Sequence, residues 1–210
     1  MADTRFSGLT AATSFLDADE FVLNESGTTK KCTGTLLKDW IGNCLQNQST
    51  SAQTINASTT AYLTHSNIAV PAAKLRIGTV FHWRVQVNKT ALGTNNVSFI
   101  VKVGTLGTTS DTSVLTFSLP TATAAADEGW IDIMVTCRGP LSASGIFQGV
   151  LRMTHNLNTT GLANIPCVEV AVTSSAFDVT TANLIVGLTC TTPASTTLLF
   201  RQVVVEARNL

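Results

Sequence analysis

Apolar and polar residues alternate with a period of two in one segment after another from about residue 62 onward. In TVFHWRVQVNK, one side of the alternation carries Phe81, Trp83, Val85 and Val87. The pattern recurs in NVSFIVKV, VLTFSL and WIDIMVTC, and later in FQGVLRMTH, CVEVAV, NLIVGLTC and TLLFRQVVVEA. Because successive side chains of a strand point to opposite faces, this alternation predicts strands with one buried face.

Short segments rich in Gly, Asn, Asp, Ser and Thr separate these strands: KTALGTNN, GTLGTTSDT, RGPLSASG, NLNTTG and TTPAST. Such residues tolerate positive φ angles or form local side-chain hydrogen bonds, as turns require. No helical pattern lies between them, so we predict a mainly β fold, an antiparallel β-sandwich or jelly roll of about eight strands. The jelly roll is favoured over an immunoglobulin-like sandwich, whose Cys…Trp…Cys signature is absent.

Several strands also carry apolar residues in the register that should face outward, namely Ile100, Ile146, Val150, Leu198, Phe200 and Val204. Exposed apolar patches of this kind mark interfaces. The alternative is that both strand faces are covered within the sandwich or by its loops. The pattern leaves both interpretations open and favours the interface.

The N-terminal part of the chain follows a different pattern. EFVLNESGTTKKCT predicts a hairpin that turns at Ser26-Gly27, and LLKDWIGNCL predicts a short helix with an apolar stripe. The segment 46–60, QNQSTSAQTINASTT, has neither charge nor large apolar clusters and is typical of a linker. We therefore expect an N-terminal arm at 1–45, a polar linker at 46–60 and a β domain at 61–210.

Charged residues make up 12% of the chain, and thirteen basic residues balance thirteen acidic ones. A neutral surface argues against nucleic-acid binding, which requires a basic footprint. MADTRFSGLT lacks the basic and apolar regions of a secretory signal, and the longest apolar runs are too short to span a bilayer. We expect a soluble protein that is synthesised in the cytoplasm, does not enter membranes and buries part of its surface in an oligomer.

Three of the four residues in the segment DADE, residues 17–20, are acidic. Asp17 and Asp19 match the first and third positions of an EF-hand loop, but Val22 stands where that loop needs glycine. Thr28 occupies the place of the bidentate glutamate. The calcium interpretation fails, and a solvated acidic turn leading into a strand explains the segment better.

The sequence contains no recognisable catalytic or metal-binding pattern. His65, His82 and His155 have no His, Cys or acidic neighbour at ligand spacing, and the five scattered cysteines form no CxxC pair. No serine lies in a G-x-S-x-G elbow, and GTLGTTSDT lacks the lysine of a P-loop. We predict no enzyme activity, no cofactor and no metal site.

Carbohydrate binding depends on exposed aromatic side chains. This chain offers few candidates for them. Trp40 belongs to the predicted helix stripe, and Trp83 shares a face with predicted core residues. Trp130, which follows the turn ADEG, is the one candidate for an exposed tryptophan. One exposed aromatic residue gives little support for a carbohydrate-binding site.

LTAATSFLDADEFVLNESGTTKKCTGTLLKDWI resembles the N-terminal element of many tailed-phage virion proteins, in which it precedes fibre, spike or capsid-surface domains. GTVFHWRVQVNKTALGT, VGTLGTTSDT, TFSLPTATAAADEGWIDI and THNLNTTG are similar to segments of small phage jelly-roll structural proteins. Together these resemblances cover nearly the whole chain. They imply a structural protein with an assembly arm and a trimeric β domain.

The leading function that the resemblance implies is a capsid decoration or cement protein, a homotrimer on the virion surface that contacts the major capsid protein. An arm with opposite charges at its two ends can dock in a defined orientation. The arm residues expected to contact the partner are Asp17, Asp19, Glu20, Phe21, Lys30, Lys31 and Trp40. The alternative is a short tail fibre or receptor-binding protein whose arm binds a tail protein; a free lectin or carbohydrate-active enzyme ranks below both.

Overall fold

The structure, a computed structural model, describes residues 20–25, 28–33, 44–71, 74–90, 92–180 and 183–210. All regular secondary structure in these ranges is β-strand, and no described segment forms a helix that could cross a membrane. The chain divides into two units, Met1–Asn43 and Cys44–Leu210.

In the first unit, β1 (Glu20–Glu25) and β2 (Thr28–Thr33) pair antiparallel, from Glu20 opposite Thr33 to Glu25 opposite Thr28. This pairing agrees with the predicted hairpin. Of the arm residues proposed as contacts, four lie in these two strands with only their backbone described: Glu20, Phe21, Lys30 and Lys31. The other three lie outside the described residues: Asp17, Asp19 and Trp40.

The second unit contains two antiparallel sheets. The larger sheet comprises β3 (Cys44–Ser49), β4 (Gln53–Ile55), β7 (Val80–Lys89), β10 (Asp127–Cys137), β11 (Phe147–His155), β12 (Cys167–Thr173) and β14 (Leu198–Arg208). The smaller sheet comprises β5 (Thr60–Tyr62), β6 (Ile68–Val70), β8 (Ser98–Gly104), β9 (Thr112–Ser118) and β13 (Leu184–Thr191). The larger sheet runs in the order β12-β11-β10-β7-β14-β3 with β4 also on β14, and the smaller runs β5-β13-β8-β9 with β6 also on β13.

The two sheets pack face to face around one apolar core. Phe99 of the smaller sheet meets Phe200 of the larger sheet edge to face, with ring centroids 6.2 Å apart. A Cβ at Gly149 of β11 would lie 2.6 Å from the Phe117 ring of β9, so glycine permits the close approach of the sheets there. Trp83 is fully buried and donates its indole N–H to the Ser66 carbonyl at 2.6 Å. The structure is therefore a β-sandwich.

The alternation correctly predicted the inward face of the long strands. The side chains of β7 that it assigned to the core are all fully buried: Phe81, Trp83, Val85 and Val87. The strands outnumber the predicted eight, because the structure adds β3 and β4, which are mostly polar, and the three-residue strands β5 and β6. The meander β10-β11-β12 keeps three consecutive strands in one sheet, whereas a jelly roll interleaves two Greek keys. The structure thus supports the predicted sandwich but not the jelly-roll order.

The linker and helix predictions fail where the described structure can be compared with them. Residues 46–49 continue β3, which pairs with β14, and residues 53–55 form β4 on the same strand. The predicted helix at 36–45 does not extend to its last two residues, because Cys44 and Leu45 begin β3, and the rest of it lies outside the described residues. Backbone pairing to a long central strand satisfies the N–H and C=O groups of this segment, and pairing of that kind needs no apolar pattern.

A break in register explains two of the apolar residues assigned to the outer face. The pairing of β14 with β7 shifts between Phe200 and Gln202. Leu198 and Phe200 consequently point into the core and are buried, although simple alternation from Val203 and Val205 places them outside. The other four remain half-buried: Ile100, Ile146, Val150 and Val204.

Candidate binding site on the outer face of the larger sheet

The most exposed tryptophan of the described sandwich lies on the outer face of the larger sheet, on the central strand β10. Trp130 of β10 is 37% exposed, since its neighbour Ile131 points into the core and Trp130 therefore points away from it. The strands place it in a row with Gln86 and Gln202 on one side and Thr154 and Cys167 on the other. We call the outward side chains of β7, β10, β11, β12 and β14 the Trp130 face.

A shallow depression of about 390 Å³ surrounds Trp130. It is lined by Gln86, Glu128, Gly129, Trp130, Thr154, His155 and Asn156. Among the described residues, none forms a hydrogen bond with the side chains of Gln86, Trp130 or Thr154. The depression therefore presents an aromatic surface together with unused amide and hydroxyl groups.

The rim of the depression carries one carboxylate that is already engaged. Asn88 donates its side-chain amide to Glu128 at 2.9 Å, and the Arg201 Nε lies 4.0 Å from the same carboxylate. The Glu128 side chain is 46% exposed, so this carboxylate remains in contact with solvent. The rim can thus offer an acceptor to a ligand but disfavours a second negative charge.

Charges on the remainder of the Trp130 face pair with one another across the strands. His82 Nε2 lies 2.9 Å from an Asp132 oxygen, and Arg152 Nε lies 3.4 Å from Glu169. The face carries four arginines and four carboxylates: Arg84, Arg152, Arg201 and Arg208 with Glu128, Asp132, Glu169 and Glu206. This balance makes the face polar but close to neutral.

Glu206 is the most buried of these carboxylates, with a side chain that is 8% exposed. Arg208 donates to one of its oxygens and Arg84 to the other. The hydrogen bond from Arg208, together with the charges of Arg208 and Arg84, lowers the pKa of Glu206 below its ordinary value although burial opposes this shift. Glu206 therefore stays ionised and ties β14 to β7.

A buried polar cluster lies beneath the depression, on the core side of the same strands. Asp127 accepts hydrogen bonds from the backbone N–H groups of Glu128 (2.9 Å), Leu157 (3.2 Å) and Leu162 (3.0 Å). It also contacts His155 Nδ1 at 2.6 Å, and both side chains are fully buried. The cluster joins the loop after β11 to the first residues of β10.

The second ring nitrogen of His155 also faces an acceptor. Its Nε2 lies 2.7 Å from the Ile165 carbonyl, so each ring nitrogen lies within hydrogen-bonding distance of an oxygen. This geometry occupies every polar atom of the ring in holding the loop.

Lys89 extends the cluster along the neighbouring strand, directly opposite Asp127 in register. Its fully buried ammonium donates to the carbonyls of Thr123 (2.6 Å) and Ala125 (3.1 Å). Burial lowers the pKa of Lys89, and the charge of Asp127 opposes this shift. Lys89 thereby anchors the segment between β9 and β10 to the sheet.

The structure separates the three histidines that the sequence singled out. His65 has a left-handed backbone conformation after β5, His82 pairs with Asp132 on the outer face, and His155 lies in the buried cluster. No group of three His, Cys, Asp or Glu side chains converges as a metal site in the described ranges.

The sequence prediction found Trp130 but missed the buried cluster. A signal was present, since Lys89 continues the inward register of Val85 and Val87. His155 likewise continues the inward register of Leu151 and Met153. Charged groups at core positions need partners, and those partners come from loops that are distant in sequence.

Comparisons with known proteins establish no family for this chain. No protein-family model matches it, and no curated protein matches it. One similar structure is the CBM2 module of the evolved Dit of Lactobacillus casei BL23 phage J-1, with a TM-score of 0.29 and 11% identity over 69% of each chain. Another is a mutant of alginate lyase Aly36B in complex with alginate trisaccharide, with a TM-score of 0.30 and 12% identity over 93% of this chain and 100% of that one.

A third similar structure is that of infectious bursal disease virus, Gx strain. Its TM-score is 0.22, with 10% identity over 88% of this chain and 45% of that chain. Scores this low do not establish a shared fold with any of the three proteins.

Proposed function

We propose that this protein is a non-enzymatic structural protein of a phage virion, most specifically a capsid decoration protein that acts as a homotrimer. The observation that carries the proposal is the division of the chain at Asn43 and Cys44. The segment that resembles phage virion proteins, residues 9–41, falls wholly within the first unit. We assign attachment to the first unit and the scaffold to the second.

A decoration protein needs a stable body and a segment that holds the shell. The second unit supplies a body whose apolar core is closed between two sheets. The hairpin of the first unit carries Glu20 at one end and the adjacent Lys30 and Lys31 on its second strand. Charges of opposite sign can fix the orientation of docking, and three arms of a trimer would convert weak contacts into a durable attachment.

The ionisable groups of the sandwich favour a structural role over a catalytic one. Asp127, His155 and Lys89 hold loops and are buried away from any substrate. Asp111 likewise accepts hydrogen bonds from the backbone N–H groups of Leu106, Gly107 and Thr108 and so shapes a turn. Groups whose hydrogen-bonding capacity is used to hold the backbone are poorly placed to transfer protons to a substrate.

A short tail fibre or receptor-binding protein is the second candidate. The observation that favours it is the exposed Trp130 on a central strand of a broad polar face, which suits contact with a host surface. In that case the arm would bind a tail protein, and the Trp130 face would point away from the particle.

Particle composition tests both candidates. We expect the full chain in purified virions at a copy number comparable to that of the major capsid protein, and we expect deletion of residues 1–43 to abolish incorporation. Quantitative mass spectrometry against the major capsid protein measures both. The control is Arg76→Glu, which changes one exposed charge of the second unit and should incorporate normally.

A copy number of only a few trimers per particle would replace decoration by the tail candidate. Normal incorporation of the deletion variant would refute the anchoring role of the first unit. Absence of the protein from virions would refute the virion proposal as a whole.

A further inference from the structure

The Trp130 face combines one exposed aromatic ring with polar groups that lack partners in the described structure. We propose that it binds an uncharged oligosaccharide, with Trp130 as the stacking surface and Gln86 and Thr154 as hydrogen-bonding flanks. A pyranose ring has a face lined by C–H groups, which packs on an indole, and hydroxyls at its edge, which need donors and acceptors.

The geometry of the sheet places hydrogen-bonding side chains on both sides of the aromatic ring. Gln86 and Thr154 are the cross-strand partners of Trp130 on its two sides. Neighbouring strands lie about 4.8 Å apart, so both side chains reach the edges of a ring stacked on the indole. Their hydrogen-bonding atoms have no partner among the described residues and are available to sugar hydroxyls.

The row continues beyond these flanks. Gln202 follows Gln86 on β14, and Cys167 follows Thr154 on β12, so five adjacent strands contribute one outward side chain each. An extended oligosaccharide can therefore lie across the strands, with one sugar unit over Trp130 and its neighbours over polar side chains. The depression of about 390 Å³ lies within the range of small-ligand sites.

The charge distribution selects an uncharged ligand. The four arginines and four carboxylates of the face balance, and most of them already pair with each other. Glu128 lies within the depression and would repel the carboxylate of an acidic sugar. A neutral sugar meets no such penalty, and it can donate a hydroxyl hydrogen to Glu128.

A protein partner fits this surface less well. The core of a protein–protein interface is a packed apolar patch depleted in charge. On the Trp130 face, the cross-strand neighbours of Trp130 are instead polar, Gln86 and Thr154. The other large apolar side chains of the face lie elsewhere among charged and amide groups: the exposed Met134 and the half-buried Val150, Leu199 and Val204. This pattern suits a ligand that needs one stacking surface and many hydrogen bonds.

The test uses the full chain and neutral β-linked hexasaccharides of glucose, mannose, galactose and N-acetylglucosamine. We expect saturation-transfer NMR to show binding of at least one of them and little binding of an alginate hexasaccharide. Trp130→Ala should weaken the titrated affinity about tenfold or more, and Trp130→Phe should weaken it less. Gln86→Ala should also weaken it.

The matched control is Met134→Ala. Met134 is 49% exposed, lies on the same strand and face, and stands about 13 Å from Trp130 along β10. Its replacement should leave the affinity unchanged. Thermal unfolding of each variant establishes that the sandwich is intact.

Three results would overturn the inference: no binding of any neutral hexasaccharide at millimolar concentration, equal loss of affinity in Met134→Ala and Trp130→Ala, or tighter binding of the alginate hexasaccharide. Loss of particle incorporation in Trp130→Ala without saccharide binding would instead identify the face as a protein interface. Normal incorporation of Trp130→Ala with lost saccharide binding would separate the two roles, since this inference does not rest on the virion proposal.

Discussion

Replacing Asp127 by alanine removes the centre of the buried polar cluster. Its carboxylate accepts three backbone hydrogen bonds and one from His155, at distances between 2.6 and 3.2 Å. In Asp127→Ala these four donors lose their acceptor inside a region from which solvent is excluded. The His155 ring also loses its contact at Nδ1.

The expected loss follows from the cost of buried donors that lose their acceptor. Each orphaned buried donor costs about 1–3 kcal/mol. Water entering the space left by the side chain satisfies part of this demand. We therefore expect Asp127→Ala to lower the free energy of unfolding by about 4 kcal/mol.

The chain offers a matched control on the same strand. Asp132 also pairs with a histidine, His82, at 2.9 Å, but its side chain is 39% exposed. Because solvent screens such a pair, Asp132→Ala should cost about 1 kcal/mol or less. The two variants remove the same atoms from the same strand and differ in burial.

Urea unfolding followed by near-ultraviolet circular dichroism measures both variants, and calorimetry supplies the midpoint temperatures. A loss of 4 kcal/mol lowers the midpoint by about 8–16 °C in a domain of this size. If Asp127→Ala does not fold, the milder Asp127→Asn, which keeps one acceptor oxygen, takes its place and should lose about 2 kcal/mol. Losses for Asp127 and Asp132 that agree within about 1 kcal/mol would refute the structural role assigned to the buried cluster.

Two further substitutions test other parts of the sandwich. Because the folded-state pKa of Glu206 lies below its unfolded value, its contribution to stability is present above the unfolded pKa and is lost as pH falls through the folded one. Glu206→Gln should therefore cost about 1–2 kcal/mol at neutral pH in urea unfolding, and the difference from the unchanged protein should shrink as the pH falls below the unfolded pKa. A pH-independent difference would contradict this assignment. The Tyr62 hydroxyl is buried without a hydrogen-bond partner among the described residues, so Tyr62→Phe should leave stability unchanged or raise it by about 1 kcal/mol. A clear loss of stability, measured in the same way, would reveal a partner for this hydroxyl.

The sequence was sufficient to predict the long strands because burial there is regular. Val85 and Val87 face the core for the same reason that Gln86 faces solvent: a strand that is covered on one side selects apolar residues at every second position. Trp130 could be singled out in the same way, because its apolar neighbour Ile131 takes the inward position.

The remainder was not predictable from local pattern. The polar β3 and β4 are stabilised by backbone pairing to β14, which leaves no signature in side-chain polarity. A single shift in pairing after Phe200 reverses the face of every earlier residue in β14. The Asp127–His155 pair joins residues that are 28 positions apart, and only the packed sheet shows that they meet.

The placement of β3 has a mechanical consequence. Cys44, the first residue of the sandwich, pairs with Arg208 near the other end of the chain, and β3 continues along β14 for six paired residues. A force applied through the N-terminal segment therefore acts first on the backbone hydrogen bonds between β3 and β14. Force directed along the strand loads all six pairs at once, whereas force directed across it peels them one by one, so the sandwich resists traction far better in one direction than in the other.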